Sequence, residues 1–184
     1  MERSSQPGHA NARLFFGVGV SVVLADAFTK IIAVDRLMPS RLPRPVLGET
    51  LRLTLVFNPG AAFGINFGPY SRWIFTALII GAIALLWELY RQTRAGDTVR
   101  TLALALVCGG AVGNLVDRLK SGRGVVDFID VGIGTMRWPT FNVADMAVSC
   151  GAVLLAIVLW KEDSARQNAA PAAVTSGSDA AVHG

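Results

Sequence analysis

Residues 141–160, FNVADMAVSCGAVLLAIVLW, predict a helix that crosses a membrane. About 20 apolar helical residues span the hydrocarbon core of a bilayer, and this stretch has that length. Its first turn carries Asp145, although an ionisable group at the bilayer centre costs roughly 2.5–3.5 kcal/mol. Asn142 followed by Asp145 three residues later resembles a capping box, so the start of the helix can by itself account for the acid. A role for Asp145 beyond capping the helix would therefore require a second carboxylate nearby.

Three further apolar segments, residues 14–34, 73–90 and 99–116, are long enough to cross a bilayer. Over the 184 residues, 52% are hydrophobic and only 16% are charged, which is typical of a membrane protein. The predicted fold is therefore an all-α integral membrane protein with four transmembrane helices. Apolar residues alternate along 51–57 before Asn58-Pro59-Gly60, which predicts a small β-sheet on the membrane surface.

Several function classes are excluded by composition. The 17 Lys and Arg residues are spread between apolar runs and form no basic stripe, so we expect no binding of nucleic acid. Cys108 and Cys150 lie inside apolar runs, which argues against a disulfide framework or a CxxC motif. His9 and His183 lie in polar tails, which excludes Ser-His-Asp catalysis and argues against zinc. Chemistry in this chain must use carboxylates, amides, Lys or Arg, with no metal or cofactor.

The two ends of the chain are polar, and residues 1–12 and 162–184 are predicted to be disordered. The first apolar segment has no A-x-A-like cleavage site after it, which indicates a retained anchor. Four spans place both termini on one side of the membrane. Seven Lys and Arg lie near that side and nine near the other, so the charge count leaves the orientation undecided.

Polar residues also occur within the spans. Asp26 and Lys30 are four residues apart on one helix face, where they either neutralise each other or support a site. The third span ends in CGGAVGNLVDR, residues 108–118, whose spaced glycines predict close helix packing. Asn114 and Arg118 share a face there, and an amide with a guanidinium can hold a carboxylate or a peptide carbonyl.

The natural partner for Asp145 lies in GVVDFIDVG, residues 124–132. Asp127 and Asp130 are set in this apolar, β-prone run, where solvated loop carboxylates are not expected. Asp130 is predicted to be a structural partner of an arginine. Asp127 is the candidate for the second carboxylate.

Five stretches in order resemble the lipoprotein signal peptidases (signal peptidase II), a family of bacterial membrane aspartyl proteases. They are LADAFTK (24–30), FNPGAAFG (57–64), GGAVGNLVDR (109–118), VVDFIDV (125–131) and FNVADMA (141–147). The resemblance implies a peptidase domain over residues 13–161, with a β-cradle at about residues 40–68 on the outer face of the bacterial inner membrane. Both termini, including the head and the tail, would be cytoplasmic.

By motif position, the resemblance also implies that Asp127 and Asp145 form a catalytic dyad near the outer face. Eight positions match the family's supporting residues: Asp26, Lys30, Asn58, Gly60, Asn114, Arg118, Asn142 and Ala144. The implied substrate is a prolipoprotein that carries diacylglycerol on a cysteine and is cut on the amino side of that cysteine. We expect a monomer that contacts membrane lipid.

Two other functions are consistent with some of the residues. A small proton or ion transporter would use Asp26, Asp127 and Asp145 as a relay and would need polar groups throughout the depth of the spans. The polar groups cluster instead near one end, which favours the peptidase. A scaffold held together by small residues accounts for the glycines but not for the carboxylates.

Overall fold

The computed structural model describes residues 9–60 and 68–175. Four helices run over His9–Leu37 (α1), Ser71–Arg91 (α2), Thr98–Lys120 (α3) and Val143–Thr175 (α4). Four strands occupy Arg44–Leu47 (β1), Leu51–Asn58 (β2), Val125–Ile133 (β3) and Met136–Arg137 (β4). The predicted fold class, a helical membrane protein with a small sheet, is confirmed.

All four helices are long and apolar enough to cross a membrane, over the spans Ala10–Leu37, Gly68–Arg91, Thr98–Lys120 and Val143–Asn168. The four helices contain the predicted spans and extend beyond them, except that Phe141 and Asn142 lie just before α4. α1 already begins at His9 and α4 continues to Thr175, so parts of the head and tail expected to be disordered are helical. Polar contacts near the start of α1 and in the C-terminal part of α4 stabilise these additional helical residues. The rest of both segments, residues 1–8 and 176–184, lies outside the described residues.

Those polar contacts gather at one end of the bundle. The Asn11 side chain donates to the Arg94 carbonyl (2.8 Å) and accepts from the Gly96 amide (3.1 Å). Arg100 at the start of α3 pairs with Glu162 of α4 at 2.9 Å. The start of α1, the α2–α3 turn and the distal part of α4 therefore meet at the same end, as four consecutive spans require.

α3 lies at the centre of the bundle and packs against the other three helices. A Cβ atom on Gly109 would lie 2.9 Å from the Gly19 carbonyl oxygen of α1, and one on Gly110 would collide with the Ala144 carbonyl of α4. A Cβ on Gly113 would lie 2.7 Å from the Asp26 carboxylate of α1 and 3.3 Å from Ala144 Cβ of α4. The predicted close packing is therefore confirmed for both Gly109 and Gly113.

The sheet is antiparallel, in the order β1-β2-β3-β4. The sequence predicts its first half within residues 40–68, but the second half comes from β3 and β4 between α3 and α4; residues 61–67 lie outside the described part. Buried apolar side chains join the sheet to the end of α1: Ala33, Leu37, Leu55, Val126 and Phe128. The sheet thus covers the end of the bundle opposite the termini.

The link from β3 to α4 determines where α4 begins. Phe141 and Ile129 exchange backbone hydrogen bonds of 3.0 and 2.8 Å. This bridge holds the first turn of α4 beside the middle of β3. Asp145 is thereby brought close to Asp127, although 18 residues separate them in the sequence.

Candidate active site

Asp127 lies on β3, opposite Val56 of β2, and only 3% of its surface is exposed. One carboxylate oxygen, Oδ2, accepts a hydrogen bond from Asn58 Nδ2 at 3.1 Å. The other, Oδ1, accepts from Asn142 Nδ2 at 2.7 Å. The β-prone run that the sequence indicates around this residue forms strand β3.

Burial, and to a lesser extent the nearby charge of Asp145, raise the pKa of Asp127 from 3.8 to about 7. Hydrogen bonds from Asn58 and Asn142, together with the charge of Lys30, oppose the rise in pKa. The balance allows Asp127 to hold or release a proton near neutral pH, which general acid–base catalysis requires.

Asp145 lies in the first turn of α4 and is half-buried. Its backbone amide donates to Asn142 Oδ1 at 2.9 Å, and its Oδ2 accepts from the Asn142 amide at 3.2 Å. These reciprocal bonds form a capping box, so the predicted N-cap is confirmed. The remaining oxygen, Oδ1, accepts from Asn114 Nδ2 at 2.7 Å. The helix N-terminus favours negative charge at this position.

Asn142 contacts both carboxyl-bearing residues and is fully buried. Its side-chain oxygen is used by the Asp145 amide, so its Nδ2 group must face the other way. There Nδ2 lies 2.7 Å from Asp127 Oδ1 and 3.1 Å from Asn114 Oδ1. One amide therefore joins the two aspartates and fixes their relative position.

Lys30 is surrounded by acceptors. Its Nζ lies 2.7 Å from Asp26 Oδ2, 2.8 Å from Asp117 Oδ2 and 3.0 Å from Asn114 Oδ1. The other oxygen of Asp26 accepts from the Ala144 backbone amide at 2.9 Å. The Asp26–Lys30 pair is therefore both an i,i+4 ion pair and a contact to α3 and α4.

Arg118 connects the end of α3 to the end of β2. Its Nη2 donates to the Gly60 carbonyl at 2.9 Å, and the Gly60 amide donates to Asn58 Oδ1 at 3.1 Å. Arg118 is buried, and among the described residues its Nε has no hydrogen-bond partner. This guanidinium lines a cavity and retains a donor for a further acceptor.

The cavity has a volume of about 710 Å³ and is lined by both polar and apolar side chains. Its charged and amide groups are Asn58, Asn114, Arg118, Asp127 and Asp145. Its apolar wall consists of Val56, Val125, Trp138, Pro139, Phe141 and Met146, and Thr140, Ser149 and Cys150 complete the lining. Such a combination suits a substrate that has both an amide bond and a large apolar group.

All ten residues suggested by the sequence are brought into one connected set of contacts. Asp130 stands apart: it pairs with Arg137 at 2.7 Å and Arg52 at 3.3 Å, and accepts from Thr54 at 2.9 Å. Burial by itself would raise the pKa of Asp130, but hydrogen bonds from Arg137 and Thr54, together with the charges of Arg137 and Arg52, outweigh burial and keep the pKa below 3.8. The predicted structural role with an arginine is confirmed.

Asp117 belongs to the same set and was not among the expected site residues. Its Oδ2 accepts from the Val126 amide at 3.1 Å in addition to the Lys30 contact. Asp117 lies about one helical turn after Asn114, and this spacing was the only sign in the sequence that it could belong to the site. The hydrogen bond from the Val126 amide of β3 cannot be read from the sequence. Within the described part of the chain, no group of three or more His, Cys, Asp or Glu side chains is placed to hold a metal ion.

Comparison with known proteins gives a consistent result. The family described as Signal peptidase (SPase) II matches residues 18–161. A lipoprotein signal peptidase of Cupriavidus taiwanensis is 42% identical over 84% of this chain and 92% of its own length. One of Burkholderia thailandensis is 41% identical over 77% of this chain and 84% of its own. A solved bacterial membrane enzyme aligns with a TM-score of 0.74 and 29% identity, covering 89% of this chain and 95% of that one.

Proposed function

Because the chain belongs to the signal peptidase II family of membrane proteases, we propose that it removes signal peptides from lipoprotein precursors with Asp127 and Asp145 as its catalytic pair. The observation that carries the proposal is the junction at Asn142. This residue hydrogen-bonds to both aspartates, and both line one cavity.

The chemistry follows from one shared proton. Two nearby carboxyl groups in a poorly solvated site do not both ionise readily. Asp127, whose pKa is about 7, holds the shared proton, and Asp145 serves as the proton acceptor. Asp145 takes a proton from water as the water attacks the scissile carbonyl, and Asp127 donates its hydrogen to the carbonyl oxygen. Asp145 then gives the proton it gained to the leaving amine as the C–N bond breaks, and Asp127 takes a proton back from a hydroxyl of the tetrahedral intermediate as the carbonyl re-forms, which restores the pair.

The substrate we propose is a prolipoprotein with a diacylglyceryl-modified cysteine, cut on the amino side of that cysteine. The apolar wall that includes Trp138 and Met146 suits the lipidated residue, and Arg118 can hold a peptide carbonyl. The site lies at the end of the bundle opposite the termini. Cytoplasmic termini would therefore place it near the outer face of the inner membrane, where we expect a monomer in contact with lipid.

Ion transport remains the second hypothesis, and the position of the charges argues against it. In the spans, no Asp, Glu, Lys or Arg occurs in residues 14–25, 73–87, 101–116 or 146–160. A relay across the bilayer would need such groups at intermediate depth. Proton flux into vesicles that contain the purified protein would support transport, and its absence would favour the peptidase.

The aspartate pair is tested with Asp127→Asn and Asp145→Asn, each followed by gel analysis of a lipidated prolipoprotein. Each variant loses one proton-transfer group, so processing should fall by roughly 10²–10⁴-fold. Asp35→Asn is the matched control, because Asp35 is exposed and lies near the end of α1. Normal processing by either Asp127→Asn or Asp145→Asn would overturn the assignment of these two residues as the catalytic pair.

A further inference from the structure

Lys30 has no donor left over for the substrate. An ammonium group has three N–H donors, and Asp26, Asp117 and Asn114 provide three acceptors within 3.0 Å. Its side chain is 5% exposed, and it does not line the cavity. Any effect of Lys30 on the reaction must therefore pass through one of these three neighbours.

Asn114 is the neighbour that reaches the catalytic pair. Its Oδ1 lies 3.0 Å from Lys30 Nζ and 3.1 Å from Asn142 Nδ2, and both of these groups are donors. Rotation of the amide by half a turn would place its NH₂ group against the ammonium. Since ammonium cannot accept a hydrogen bond, Asn114 Nδ2 is forced to face Asp145 Oδ1, at 2.7 Å.

From this geometry we propose that Lys30 is a positioning residue for the peptidase reaction: it fixes the orientation of the Asn114 amide, which in turn holds Asp145 in place. The inference rests on the proposed function, since it assigns a role relative to the same pair.

The two acids on either side of Lys30 extend this constraint to the rest of the site. Asp26 accepts from the Ala144 amide, next to Asp145, and Asp117 accepts from the Val126 amide, next to Asp127. One ammonium group thus joins α1 and α3 to the backbone beside each catalytic residue. A misplacement of about 1 Å in such a site can cost about 100-fold in rate.

Charge gives a second, independent effect. Four charged groups surround the pair of Asp127 on β3 and Asp145 on α4. They are Asp26 and Lys30 from α1, and Asp117 and Arg118 from α3. The positive charge of Lys30 lowers the pKa of Asp127. Its removal should therefore move the limb of the pH–rate profile that follows Asp127 to higher pH.

The test is a double-mutant cycle between Lys30 and Asn114 on cleavage of a lipidated prolipoprotein. Lys30→Met should lower kcat by about 100-fold and change KM by less than about threefold. In the Asn114→Ala background the same substitution should cause a much smaller loss in kcat, because only the contacts through Asp26 and Asp117 and the effect of charge remain. Losses that multiply fully would overturn the proposal.

Two further variants distinguish a loss of positioning from a failure to fold. Lys30→Met leaves two buried acids without their cation, whereas Lys30→Met/Asp117→Asn leaves only one, and its kcat should be equally low. Asn114→Asp keeps both acceptor contacts of Oδ1 but replaces the donor to Asp145 with a carboxylate oxygen, so it should also lose about 100-fold in kcat. Normal kcat in either variant would overturn the proposal.

Arg36→Met is the matched control, because it removes an exposed cation from the same end of α1 and should leave processing unchanged. If the Lys30 variants retain normal kcat and a normal pH profile while Asp127→Asn is inactive, the positioning role of Lys30 is contradicted and the proposed peptidase function is retained. If Asp127→Asn is also active, the proposed function itself fails.

Discussion

Asn142 performs two tasks that no other side chain of similar size can combine. Its oxygen caps α4 by accepting from the Asp145 amide, and its nitrogen donates to Asp127. Aspartate at this position would cap the helix but has no hydrogen to donate when ionised, and serine would cap it without reaching as far. The capping role and the role in the site can therefore be separated by mutation.

Asn142→Ser and Asn142→Ala should both lower processing by about 100-fold, since both lose the amide that positions Asp127. Only the alanine variant also loses the cap, which costs about 0.5–2 kcal/mol of stability relative to serine. Thermal unfolding in detergent, measured beside the processing rate, tests this separation. Equal unfolding midpoints for the two variants would contradict the capping role.

Asp127 should make the folded protein less stable as pH rises, whereas a carboxylate whose pKa is lowered by an ion pair makes a protein less stable as pH falls. The unfolded chain releases this proton near pH 3.8, whereas the folded protein keeps it up to about pH 7. Between these values the folded state binds more protons, so the free energy of unfolding falls as pH rises. Each pKa unit of difference corresponds to about 1.4 kcal/mol.

The unfolding midpoint of the unmodified protein should consequently decrease from about pH 5 to about pH 8 by more than that of Asp127→Asn. Asp130, whose pKa is lowered, loses its stabilising effect only at pH values below 3.8 and does not interfere in this window. Parallel pH profiles for the two proteins would mean that Asp127 is not protonated in the fold near neutral pH.

At the level of elements, the contact between α3 and α4 positions the site. Gly110 packs directly on the Ala144 carbonyl, one residue before Asp145, and Gly151 packs against the Ala103 carbonyl further along. Close backbone contact of this kind is the usual way in which membrane helices associate. Any side chain at Gly110 must displace the turn of α4 that carries Asp145.

Gly110→Ala should therefore reduce both processing and stability, whereas Gly81→Ala should be neutral or slightly stabilising. A Cβ on Gly81 meets nothing within 4 Å, and alanine in a helix is favoured over glycine by roughly 0.5–1 kcal/mol. Processing assays and thermal unfolding of the two variants form a matched comparison. If Gly110→Ala were as active and as stable as Gly81→Ala, this close contact would not be needed to position Asp145.

The sequence predicts these elements unevenly, for physical reasons. Long apolar runs are local signals, so all four helices are found, and the capping box at Asn142 is local as well. The second half of the sheet is not found as such, because the pairing of β2 with β3 joins residues about 70 positions apart. The connection of Lys30 to Asp117 and Asn114 is also beyond sequence reasoning, since it depends on how α1 packs against α3.

For the whole molecule, charge is concentrated at the two ends of the bundle and excluded from its middle. One end holds the Asn11 contacts and the Arg100–Glu162 pair, and the other holds the sheet and the aspartates. The numbers of Lys and Arg at the two ends are too similar to orient the protein by charge. Many of the basic residues at the sheet end are instead used in folding: Arg52 and Arg137 pair with Asp130, and Arg72 donates to the carbonyls that end α3.

Orientation is consequently a prediction to be made for the whole molecule and tested directly. With cytoplasmic termini, a cysteine introduced at the exposed Thr135, in the turn between β3 and β4, should react with a membrane-impermeant thiol reagent added to intact spheroplasts. A cysteine at the exposed Gln167, on the distal part of α4, should react only after the membrane is opened. Unmodified protein is the background control, because Cys108 and Cys150 lie in the uncharged stretches 101–116 and 146–160 of their helices, whereas Gln167 lies beyond them. Labelling of Gln167→Cys in intact spheroplasts with protection of Thr135→Cys would contradict the predicted orientation and place the aspartates near the cytoplasmic face.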